Sequence, residues 1–203
     1  MKKSINVNTL IENRFCPEKS VHYGKQNRFN IAKQQAEKPV VSIDKIISLT
    51  NDFIKAYGIT TYTGNNIVQT AEINLDDFNK NIKTTFDGLT SNADIVWMKF
   101  TKDGYVGVIA CSNDINFDIP PNSEAYDEQK VINGKISWKY ATSGILVHSV
   151  DKTWDTDFVL VFPLIGLKEG KEGTKQRHDI ENGIGNYLIS QDIPIIDYFS
   201  HRL

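Results

Sequence analysis

The run Phe158–Leu167 constrains this chain more than any other segment. It contains no charge and no polar side chain. On a period-two strand it sets Phe158, Leu160 and Phe162 on one side and Val159, Val161 and Pro163 on the other. A strand apolar on both sides must be covered on both, because one bare side would put a row of large side chains in water. The run therefore predicts a central strand between two layers. The nearest cover in sequence is a helix carrying Ile180, Ile184, Tyr187 and Leu188 at i, i+4, i+7 and i+8. Gly183 and Gly185 let that helix approach closely, and Pro194 ends it. The second side falls to earlier helices or to a neighbouring subunit.

The rest of the body reads as α+β. Ser42 caps a helix through Ile43, Ile46, Ile47, Phe53, Ile54 and Tyr57, which Gly58 stops. Segments 59–63 and 67–73 are β-prone. Asn74 opens a second helix with Phe78, Ile82 and Phe86 as its stripe and Gly88 as its end. Asp94–Thr101 and Tyr105–Ser112 flank Lys102-Asp103-Gly104, a hairpin signal, and Asn133-Gly134 marks another. Ile145–Val150 reads as a further strand, Lys168–Thr174 as a solvated loop, and Ile193–Phe199 as a short edge strand. The expected architecture is an antiparallel meander of about five to six strands, packed with two preceding helices and one C-terminal helix.

Residues 1–41 differ from the remainder. They hold eight basic and three acidic residues, a net of +5, so the other 162 carry −7 to reach the total of −2. No apolar period is sustained here, yet Phe15, Tyr23 and Phe29 are spaced through the segment as anchors, with Arg28 beside the last. This predicts an extended basic arm (1–41) that docks on other surfaces, and one α+β domain (42–203). An apolar fraction of 40% in 203 residues suffices for a packed core and excludes disorder of the whole chain. The pI near 6 excludes a generally basic nucleic-acid binder. Cys16 and Cys111 form no metal spacing and no disulfide framework, which predicts inert thiols in a reducing cytoplasm. No apolar stretch approaches a membrane span.

The densest polar cluster is Arg177-His178-Asp179-Ile180-Glu181-Asn182. On a helix His178, Glu181 and Asn182 share a face opposite Ile180 and Ile184. A metal or a general base would use that face. The His-x-x-Glu pair is similar to those of di-metal carboxylate bundles, which need further carboxylates from other helices. None is apparent, and a solvated helix face is the simpler reading. Asn182-Gly183-Ile184-Gly185-Asn186 resembles the pyrophosphate loop of the acetyltransferase superfamily, with Ile180 where that motif has Arg or Gln. The resemblance implies an acyltransferase with phosphate on free amides at a helix start. Glu128-Gln129-Lys130, with Asp114 or Asp94 upstream, resembles the Asp…Glu-x-Lys set of metal-dependent nucleases. His148, beside Leu146 and Val147, reads as a packed sheet histidine.

These patterns favour a non-enzymatic structural or assembly protein. It would be a cytoplasmic or virion component such as a phage connector, neck or tail subunit. Its partners would be copies of itself or other subunits, with nucleic acid within reach of the basic arm, and no cofactor or metal is expected.

Overall fold

The computed structural model describes residues 28–61, 67–69, 94–113, 124, 128–139 and 141–197. Phe15, Tyr23, Cys16, Asp114 and the predicted helix from Asn74 to Gly88 lie outside them. The elements are α1 (Arg28–Ala36), α2 (Ile43–Tyr57), β1 (Thr60–Thr61), β2 (Ile67–Gln69), β3 (Asp94–Phe100) and β4 (Val106–Ser112). They continue as β5 (Glu128–Ile132), β6 (Lys135–Lys139), α3 (Thr142–Ser149), β7 (Phe158–Ile165) and α4 (Gly170–Ser190). The class is mixed α+β.

Three long strands form the antiparallel sheet in the order β7-β3-β4, and β1 and β2 pair with the other edge of β7. The apolar run is thus central, as its composition requires. Leu160, Phe162 and Leu164 join Val96, Met98 and Phe100 on one side of the sheet. They pack on Ile46 and Ile54 of α2 and on Ile180, Ile184 and Leu188 of α4. All of these are buried. The C-terminal helix is the expected cover, and α2 shares its layer.

The opposite side is covered differently from the expectation. Segment 145–150, read as a strand, belongs to α3, and α3 packs on β4 while α1 packs on α3. Ser143 through Val147 are all buried. A helix buried nearly all round has no polar face, so its sequence shows no 3.6-residue period and its Ile-Leu-Val run mimics a strand. His148 accordingly lies on a helix, with its side toward solvent. Part of the presumed extended arm is also helical. In α1 the buried residues are Arg28, Ala32 and Gln35, at i, i+4 and i+7. The spacing is helical, but the residue types hide it from an apolar search. Phe29 packs with Ala32, Leu146 and Ile196.

Local signals elsewhere held. Ser42 Oγ accepts from Lys45 N at 3.4 Å, and Gly58 ends α2 at φ 86° with its N–H on the Ile54 and Lys55 carbonyls. Asn133 and Gly134 both have positive φ, as a two-residue hairpin turn between β5 and β6 demands. That hairpin forms a sheet of its own, so the described strands do not make the single five- to six-stranded meander. Finally, α4 begins earlier than expected, inside the segment read as a loop. Gly173 permits this, since a Cβ there would sit 1.8 Å from the Lys168 carbonyl oxygen.

Candidate functional site

Residues of α4 and β4 meet at one polar centre on the rim of the α2/α4 side. The β3–β4 register pairs Cys111 with Val96, so Cys111 faces α4. On α4, His178 and Glu181 lie one turn apart on the face toward β4. Cys111 Sγ stands 3.4 Å from His178 Nδ1 and 3.0 Å from Glu181 Oε2. His178 Nδ1 and Glu181 Oε2 are 3.2 Å apart. Cys111 is half-buried, the Glu181 side chain is mostly buried, and His178 is more than half exposed.

Arg177 borders this centre. It is buried, pairs with Asp94 at the start of β3, and also meets the Cys111 thiol. Asp94 and Arg177 in turn line a cleft of about 930 Å³ with Asn113, Lys168, Lys171 and Lys175.

The centre is not a nucleophilic relay. A relay uses one ring nitrogen of the base for the nucleophile and the other for the orienting acid. Here thiol and carboxylate both address Nδ1. Burial, reinforced by the Glu181 carboxylate, pushes the Cys111 thiol well above its ordinary range, against the opposing pull of Arg177. Both the burial and the carboxylate disfavour the thiolate that a nucleophile needs.

Of the residues singled out from sequence, the fold brings Arg177, His178, Glu181 and Asp94 together and adds the Cys111 thiol. Asn182 points to solvent. The pyrophosphate-loop reading is corrected. Gly183 and Gly185 lie inside α4, where backbone amides serve the helix's own bonds. Gly183 instead lets Phe53 pack, since a Cβ there would come within 2.2 Å of its ring. The residues of the nuclease set fall on different elements. Glu128 and Lys130 belong to the β5–β6 sheet, Asp94 belongs to the main one, and Asp114 falls outside the described residues. Of the arm contacts, Arg28 reaches into the chain's own body, where its Nη2 donates to Asp197 at 2.8 Å with both groups buried.

Lys99 escaped the sequence reading. It sits in β3 between Met98 and Phe100, which face the α2/α4 side, and so points to the α3 side. It is 1% exposed, contacts Glu124, and lies 5.4 Å from the centre of the Trp154 ring. Burial pulls its pKa down to about 7, against the attraction of Asp155.

No protein-family model, curated protein or solved structure matches the chain. Among the described residues, no helix is long and apolar enough to cross a membrane.

Proposed function

We propose that the protein works by binding other protein chains, as a structural subunit of a multi-copy assembly. The observation that carries this reading is the β5–β6 hairpin. It pairs with no other strand among the described residues, and its tip presents Val131 and Ile132 at 73% and 55% exposure. A lone two-stranded hairpin is marginal in water and gains stability when a second surface covers it. Two exposed β-branched side chains beside an Asn-Gly turn supply an apolar contact at low cost in ordering.

Copies of this chain are the first partners to test. A phage connector, neck or tail is an assembly of the kind that uses such subunits. The basic segment before α1, with its net positive charge, suits contact with an acidic neighbour or with nucleic acid at low salt.

Light scattering across a range of protein concentration tests the reading. The intact chain is expected to form a defined multimer. The double variant Val131→Asp/Ile132→Asp is expected to shift it to monomer with unchanged circular dichroism. An intact chain that stays monomeric throughout, alone and with other subunits of its complex, would remove the reading.

A further inference from the structure

We infer that Cys111, His178 and Glu181 bind one divalent transition-metal ion of the zinc type, tying α4 to β4. This goes beyond the assembly reading and does not depend on it.

The first argument is shape. The three donor atoms form a closed triangle with sides of 3.4, 3.0 and 3.2 Å. Around a tetrahedral ion with metal–sulfur distances of about 2.3 Å and metal–nitrogen or –oxygen distances of about 2.0–2.1 Å, ligand atoms sit about 3.3–3.6 Å apart. Two sides are therefore tight by about 0.1–0.2 Å and the Cys111–Glu181 side by about 0.6 Å, and rotations of side chains on a surface helix open them. All three donors also converge on one point, whereas a hydrogen-bonded chain would run through the imidazole ring.

The second argument is what happens without an ion. Glu181 only accepts, the thiol donates once, and neutral imidazole donates once. Two protons can point along at most two sides of a three-sided cluster, so one side has no proton directed along it. A cation at the centre meets all three donors at once.

The third argument is charge and ligand type. Ligation replaces the Cys111 proton, which leaves to solvent, and uses the Nδ1 lone pair of neutral imidazole. Thiolate and carboxylate then balance a divalent ion. Beside them, Arg177 is balanced by Asp94, so no charge is left over. A sulfur, a nitrogen and a single carboxylate select a borderline ion over magnesium or calcium, which take oxygen sets. Among the described residues three protein donors are present, and His178 lies at the solvent edge, so water or a small anion completes the fourth position.

The test uses the full chain, stripped with a chelator and titrated with Co²⁺ and Zn²⁺. One equivalent of Co²⁺ is expected to produce thiolate-to-cobalt charge-transfer absorption with tetrahedral visible bands. Zn²⁺ should abolish both and raise the melting temperature. Cys111→Ser should remove the charge-transfer band. His178→Ala, at an exposed position that cannot unfold the chain, should weaken binding by more than the roughly 10–100-fold that losing an outer-shell partner costs. Cys16→Ser should leave spectrum and affinity unchanged. Absence of the charge-transfer band in the intact chain would overturn the site, as would a band that survives Cys111→Ser or vanishes in Cys16→Ser.

Discussion

The two sides of the sheet solve the same burial problem with different materials. The α2/α4 side is packed almost wholly with aliphatic and aromatic groups, with Thr50 as the buried polar residue of α2. The α1/α3 side buries Ile95, Trp97, Val159 and Val161 of the sheet with a cluster of Ala32, Tyr105, Leu146, Val147 and Ile196, and adds buried charge. Lys99 is buried there, and Arg28 meets Asp197. The indole N–H groups of Trp97 and Trp154 are buried with no hydrogen-bond partner among the described residues. A side that buries charge gains less from being closed and loses more when one partner is removed.

That asymmetry can be broken at three positions. The largest effect is expected at the Arg28–Asp197 pair. Arg28→Ala removes one member of a buried ion pair, which costs about 3–5 kcal/mol. Denaturant unfolding measures it, and a cost near that of an exposed pair would show that α1 contributes little to closing this side. Next is Leu160→Ala on the aliphatic side, where transfer and cavity terms together cost about 2–5 kcal/mol. This loss should not vary with pH, since no titratable group takes part in it.

The smallest absolute change is expected at Lys99, and its sign is opposite. Its folded pKa of about 7 lies below the ordinary 10.5. As pH rises through about 7 the folded chain sheds this proton while the unfolded chain keeps it until about 10.5. The unfolded state binds more protons in that window, so this group makes stability rise with pH there. Lys99→Met, made together with Glu124→Leu so that neither partner is left alone, should remove the rise and stabilise the protein near pH 6, by about 1–4 kcal/mol as in other replacements of buried ion pairs by apolar groups. The measurement is the difference between the two proteins' stability curves from pH 6 to 10, which cancels groups common to both. Parallel curves would mean that Glu124 and Asp155 hold Lys99 charged throughout.

The same asymmetry decided what could be read from sequence. Where burial is apolar and periodic, residue type reports position, so α2, β7 and the apolar stripe of α4 were legible. Turn chemistry did the same for both hairpins, through Gly104 and through Asn133-Gly134. On the other side the code fails. The buried stripe of α1 is Arg28, Ala32 and Gln35, and α3 is covered on nearly every face, so neither has an apolar period to find. The polar centre was half legible. Its helical residues stood out as a cluster in the chain, but Cys111 reaches His178 and Glu181 across 67 and 70 residues. No local spacing signals such a meeting, which depends on the strand register and on how α4 lies over β4.

The closure of β4 bears on how the chain is made. The backbone N–H groups of Ile196 and Asp197 bond the Val106 and Gly107 carbonyls, and Ile195 bridges Val106 in parallel. Asp197 at the same point holds Arg28, 169 residues away in sequence. A ribosome therefore delivers the strands long before it delivers the segment that seals their edge. Until residue 197 clears the exit tunnel, β4 keeps an open row of amides and carbonyls, and α1 lacks its anchor. Long-range closure of this sort is slow, and unpaired edges are where nascent chains stick to one another. Completion of this fold is thus timed by the emergence of residues 195–197.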